Sequence, residues 1–183
     1  ARIMPDGNMA ATYSHVYPTD RYTLFFQALP WLETGFRYTG VDPWYQGGYK
    51  GSTYYDRGFD VKLRLFQESG GMPAIALGFQ DVVGTGLYAG EYLVASKRWG
   101  AWDVSAGVGW GRLGSRADVD NPLGYLASSL HDRGDVEPGG GALSPGLWFR
   151  GPVGFFGGLQ YDTPIDGLSL KLELSSDQMS RER

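Results

Sequence analysis

From Phe59 to Leu65 apolar and charged residues alternate without a slip. Phe59, Val61, Leu63 and Leu65 stand against Asp60, Lys62 and Arg64, and Leu168 to Leu174 repeats the pattern around Ser169, Lys171 and Glu173. Successive side chains of a strand point to opposite faces, so each stretch carries one greasy face and one charged face. In a water-soluble sandwich the charged face meets solvent and the greasy face a core. In a membrane barrel the greasy face meets lipid and the charged face a wet lumen.

The period-two pattern predicts nine strands, at 8–16, 21–29, 31–39, 57–67, 73–82, 90–98, 101–112, 152–162 and 167–175. No interior helix pattern of comparable strength competes with them. The predicted connections are short after the second, fourth, sixth and eighth strands. Two others are long, at 41–56 and 113–151, and rich in Gly, Asp, Tyr and Pro. Short turns at one end and long loops at the other are the asymmetry of outer-membrane barrels; the soluble alternative is an up-and-down barrel or sandwich with one functional loop end. The expectation is one all-β unit over 1–183, an antiparallel up-and-down transmembrane barrel or a segment of a larger one. An odd strand number and a terminal stretch without the aromatic-ended closing strand favour the segment.

Assigned to faces, Leu32, Thr34, Phe36 and Tyr38 oppose Glu33, Gly35 and Arg37, and Trp102 to Trp110 places apolar residues opposite Asp103, Ser105, Gly107 and Gly109. Trp102 and Trp110 are about 26 Å apart at strand rise, which fits two aromatic girdles. Tyr22, Trp31, Tyr38, Tyr92, Trp99 and Tyr161 also fall near strand ends, where interfacial anchors belong. The set expected to face the lumen is Glu33, Arg37, Asp60, Lys62, Arg64, Gln80, Glu91, Lys97, Asp103, Gln160, Lys171 and Glu173.

Composition supports the barrel. Glycine at 29 of 183 residues and aromatics at 15% are both high, and mean hydropathy is slightly negative, as when every second residue of a spanning strand faces lipid. No segment approaches the run of about 18 apolar residues of a spanning helix. The absence of cysteine removes disulfides and thiolate chemistry, and a net charge of −4 with mixed signs argues against nucleic acid. No signal peptide begins the sequence.

Candidate chemistry is sparse. His15 and His131 are too few for a zinc site, and Asp118, Asp120, Asp132, Asp135 and Glu137 read as an acidic solvated loop, their spacing matching no calcium hand. Gly107-Val108-Gly109-Trp110-Gly111 lacks the strand-turn-helix context of a phosphate loop, and its glycines read as a flat lumen wall. Ser128, Ser129 and His131 make no nucleophile-base pair. No catalytic residue, metal or cofactor is expected. Trp44, Tyr45, Tyr49, Tyr54 and Tyr55 are candidates to stack on sugar rings.

Several runs together carry a family resemblance. They are Ala1 to Gly7, Leu29-Pro30-Trp31-Leu32-Glu33 with Phe36-Arg37-Tyr38, Arg57 to Lys62 and, most specifically, Gly84 to Arg98. Gly109 to Gly114 and Thr163 to Leu168 add to them, and the chain resembles the YjbH family, which includes the GfcD proteins. The resemblance implies a bacterial outer-membrane β-barrel protein, often a lipoprotein, associated with secretion or assembly of exopolysaccharide or group 4 capsule. Its expected partners are outer-membrane lipids, polysaccharide and periplasmic proteins of the pathway. Family members are much longer than 183 residues and carry the Met4-Pro5-Asp6-Gly7 motif close to their mature amino end, so the resemblance implies an amino-terminal portion. A plugged barrel that docks partner proteins is the alternative to an export path, and an outer-membrane enzyme a weaker third.

Overall fold

A computed structural model of the chain describes residues 1–44, 51–134, 141–143 and 145–179. It is an all-β protein whose strands are β1 (Met9–Val16), β2 (Thr19–Leu29), β3 (Leu32–Trp44), β4 (Ser52–Phe66), β5 (Ala74–Gly84), β6 (Gly90–Trp99), β7 (Trp102–Gly109), β8 (Ala142–Leu143), β9 (Gly154–Asp162) and β10 (Ser169–Leu174). They form a single antiparallel sheet in the order β1-β2-β3-β4-β5-β6-β7-β9-β10, each strand beside its sequence neighbour, with β8 joining β5. Among the described residues no ladder joins β1 to β10, so the sheet is open and a closed barrel is not seen.

All nine expected strands are present, with three instructive changes. The connection placed at 41–56 is largely strand, because β3 runs on to Trp44 and β4 begins at Ser52, with Val41 opposite Tyr54 and Trp44 opposite Ser52. Asp42 and Pro43 read as loop residues, but a register shift between Val41 and Trp44 takes them out of the ladder, where a residue without an amide hydrogen is tolerated. In the opposite sense β7 stops at Gly109. Gly111 turns the chain with φ +61°, the Arg112 amide bonds to Ala89 O at 3.0 Å, and a 3-10 turn over Gly111–Gly114 follows. Trp110 is therefore no girdle residue. It is 6% exposed, donates Nε1–H to Asn121 Oδ1 at 3.2 Å and meets Phe149 edge-on.

The register sorts side chains into two faces. Leu24, Phe36 and Phe59 share the apolar face across β2, β3 and β4, and Gln27, Glu33 and Lys62 share the other. The exposure of these faces is inverted relative to a soluble protein. Leu24, Phe26, Phe36, Phe59, Leu93, Trp102, Phe155, Leu170 and Leu172 are exposed, whereas the most enclosed side chains include Gln27, Thr39, Asp56, Glu91 and Asn121. At the short-turn end the apolar face carries Trp99, Trp102 and Tyr161, with Trp102 on Tyr161 at 4.4 Å between ring centroids. At the other end it carries Tyr13 on Tyr22 at 4.9 Å and Tyr38 stacked on Tyr55 at 5.6 Å.

The long connection between β7 and β9 is anchored rather than loose. Asn121 receives the Trp110 indole N–H and the Leu123 amide, and gives its own amide hydrogens to Leu130 O at 2.8 Å and Phe149 O at 2.7 Å. The far part of the loop folds onto the apolar face. Glu91, paired with Phe79 and 2% exposed, accepts Arg133 through both oxygens at 2.8 and 3.1 Å and the Phe149 amide at 2.9 Å, while Trp148 and Phe149 pack on Phe79. An ion pair this enclosed is costly to break from one side, because the remaining charge is stranded.

Glu91→Ala should therefore release the loop from the sheet. Limited trypsin digestion of the folded protein is expected to cut after Arg133 and Arg150 in the variant at least ten times faster than in the parent. Equal rates would mean that the loop does not depend on this carboxylate.

Candidate functional site on the charged face

Ten of the residues expected to share one side do so by register. Glu33, Arg37, Asp60, Lys62 and Arg64 lie on the charged face of β3 and β4, Gln80 on β5, Asp103 on β7, and Gln160, Lys171 and Glu173 on β9 and β10. Two do not. Glu91 pairs with Phe79 and Lys97 with Val104, which puts both on the apolar face. Each is reconciled to that side by local burial: Glu91 under the loop, and Lys97, 8% exposed, by donating to Gly70 O and to Met72 O at 3.3 Å with Glu68 at 3.5 Å. Tyr92 is displaced in the other direction. It pairs with Gly78 on the charged face, and its ring lies over Gly78 where no side chain intervenes, so it is no interfacial anchor.

The amino-terminal arm lies across this face near the short-turn end. Gly7 N bonds to Gln27 O at 3.0 Å on β2, Lys62 Nζ donates to Arg2 O at 2.7 Å on the way, and the Ala1 nitrogen donates to Ser96 Oγ at 2.8 Å on β6. Arg2 clamps two acidic groups, Glu68 through Nε and Nη2 at 2.9 and 2.6 Å and Asp103 through Nη1 at 2.9 and 2.7 Å. A guanidinium presents its donors as a fork, which suits this double engagement. The Arg98 amide and Arg2 together hold the Glu68 carboxyl down at about 2.

At the loop end the same face is filled. The segment between β5 and β6 turns inward and buries Tyr88 completely, with the guanidinium carbons of Arg21, Arg37 and Arg112 at 5.3, 5.2 and 4.6 Å from its ring centroid. Cations over a desolvated ring face are attracted by its quadrupole. Carboxylates balance them: Asp60 meets Arg37 at 3.4 Å and the Asp81 amide at 2.8 Å, Asp81 accepts the Tyr88 amide at 3.1 Å, Asp56 receives Thr85 Oγ1, and Asp177 pairs with Arg112. Gly58 and Gly84 are required here, since a Cβ at either would run into the Asp81 carboxylate.

Between arm and plug the wall is floored by glycine and topped by rings. Phe25 lies beside Gly35, Tyr92 over Gly78 and Phe156 over Gly107. A cavity of about 290 Å³ is lined by Phe25, Glu33, Asp60, Lys62, Gln80 and Tyr92 among others. A larger one of about 550 Å³ runs from Arg2 and Asp103 past Phe156 to Gln160, Lys171 and Glu173.

Sequence reasoning missed Arg2, Arg21, Asp56, Asp81, Tyr88 and Arg112. Arg2 lies outside any period-two stretch, Tyr88 falls in a connection, and Arg112, expected at the end of a strand, lies in the turn that follows β7. Asp81 sits at a bulge with φ +53°, where the register shifts. The aromatics proposed for sugar contact do not gather at one place. Tyr55 stacks on Tyr38 on the apolar face, Tyr54 pairs with Val41 on the other, Trp44 closes β3, and Tyr45 and Tyr49 lie outside the described residues. Among the described residues no three of His, Cys, Asp or Glu are placed to hold a metal.

A nitroxide at Met4→Cys should report arm docking directly. Its spectrum is expected to stay immobilised from pH 8 down to about 4.5, because Glu68 with its lowered pKa holds Arg2 over that range, and to sharpen as pH falls toward 2. Arg2→Ala should give the sharp spectrum at pH 7, and a spectrum indifferent to both changes would mean that Arg2 does not hold the arm.

Over residues 1–183 the chain matches the model of the YjbH family, described as "Exopolysaccharide biosynthesis protein YbjH". It is similar to "Uncharacterized lipoprotein YjbH" of Escherichia coli (strain K12), at 38% identity over 186 residues. That alignment takes in 100% of this chain and 27% of the relative's length. No solved structure matches it. The resemblance read from the motifs is thus carried by the whole sequence, and the chain belongs to the YjbH family.

Proposed function

We propose that these strands are part of the wall of an outer-membrane β-barrel that serves exopolysaccharide secretion or assembly, with the apolar face in lipid and the charged face turned to a hydrated interior. The observation that carries this is the inverted exposure: large apolar side chains outside, Gln27, Thr39, Asp56 and Arg37 enclosed. The aromatic belts agree. Trp99, Trp102 and Tyr161 stand at the short-turn end of the apolar face and Tyr13, Tyr22, Tyr38 and Tyr55 at the other. Hydrocarbon does not tolerate unpaired strand edges, so β1 and β10 take further strands as partners in the membrane. The long loops then share one side and the short turns the other, and the relative's description as a lipoprotein fits an envelope location.

In this arrangement a hydrated polymer passes along the interior. The arm across the charged face favours a second reading, in which the interior is occluded and the barrel serves to dock partner proteins of the pathway. We assign no enzymatic step.

Two experiments separate these possibilities. Leu63→Arg, on the lipid side, is expected to weaken folding into lipid vesicles by about 2–4 kcal/mol near the midplane, and Lys62→Leu by much less; equal effects would contradict the membrane assignment. For the interior, Arg64→Gln combined with Lys171→Gln should lower surface exopolysaccharide several-fold at unchanged protein level in the outer membrane. Full export at normal protein level would favour docking over passage.

A further inference from the structure

We infer that the chamber between the amino-terminal arm and the Tyr88 plug is a saccharide-binding subsite, in which Phe25, Tyr92 and Phe156 offer ring faces and Glu33, Asp60 and Gln80 offer hydrogen-bonding groups. This rests on the proposal that the interior serves exopolysaccharide, and it names where a sugar would be held.

The placement of the rings repeats along this face. Each of the three sits opposite a glycine on the adjacent strand, in the pairs Phe25 with Gly35, Tyr92 with Gly78 and Phe156 with Gly107. A Cβ at Gly78 or Gly107 would overlap the opposing ring, so the glycines let the rings lie down on the wall. Lying rings leave a flat apolar surface among polar groups, and among the described residues no second layer of sheet packs against it. Tyr92 meets Phe156 edge-to-face at 6.1 Å, so the ring that lines the smaller cavity adjoins the ring that lines the larger.

A pyranose has an axial C–H face that packs on a π face and a rim of hydroxyls that seek acceptors and amides. The chamber offers both. Its polar residues are Glu33, Asp60, Gln80, Lys62 and Thr34, set with Phe25 and Tyr92 around about 290 Å³, close to the lower end of small-molecule pockets. Carboxylates favour a ligand that donates, so the preferred residue is a neutral hexose rather than a uronic acid. The tyrosines of the loop end point the other way: Tyr22, Tyr38 and Tyr55 stand on the apolar face and belong to the interface.

The test uses the protein purified in detergent from its own host and, as probe, oligomers made from that host's exopolysaccharide by mild acid cleavage. Saturation-transfer NMR should give saturable binding to the parent protein. Tyr92→Leu should weaken it at least ten-fold, and Tyr92→Phe should restore it to within about three-fold of the parent. Gln80→Met, which keeps bulk and loses the amide, should weaken it several-fold and stands in if Tyr92→Leu does not accumulate. Absence of saturable binding to the parent protein, or binding unchanged in both Tyr92→Leu and Gln80→Met, would overturn the subsite. Loss of the whole protein is read separately: unchanged surface polysaccharide in that strain would contradict the proposed function, whatever the binding result.

Discussion

The ladder between β3 and β4 is the constraint on which the rest depends. It pairs Leu32 with Leu63 and proceeds without a shift to Val41 with Tyr54. Because side chains alternate, a slip of β4 by one residue would send Asp60 and Lys62 to the side of Phe36 and bring Phe59 beside Arg37. The register therefore decides at once which groups lie on the apolar face, which meet the arm and which surround Tyr88. The two strands satisfy each other's facing backbone groups along that ladder.

Glycine does the second part of the shaping. Gly58 and Gly84 make room for the Asp81 carboxylate, and Gly78 and Gly107 for rings, so the charged face is relieved in places and padded in others. The charged face is thereby divided into regions, and among the described residues no second layer of sheet covers it. The arm spans it at the turn end, Tyr88 with its three arginines fills it at the loop end, and the aromatic-lined chamber lies between. Such an interior is held by charge-assisted bonds and desolvated cation-ring contacts rather than by a hydrophobic core.

Alternation made the strands, their order and most of the charged face legible in the sequence, and the family motifs made the YjbH membership legible as well. It failed where a local feature breaks period two. Glu91 and Lys97 were assigned by charge to the interior, yet their register puts them on the apolar face, where a folded-back loop and a neighbouring turn take up their charges. Trp110 looked like a girdle residue because its spacing from Trp102 is right, but Gly111 ends the strand before it. Arg2 and Tyr88 gave no periodic signal at all, since they act from segments that cross the sheet rather than run within it.

The central claim is that β4 separates lipid from a hydrated interior. Single nitroxides placed in turn from Phe59 to Arg64, in protein reconstituted into lipid vesicles, test it through collision with dissolved oxygen and with a polar nickel chelate. The expected result is a period-two alternation, with oxygen favoured at 59, 61 and 63 and the chelate at 60, 62 and 64. Chelate access at all six positions would place both faces in water and contradict a membrane wall.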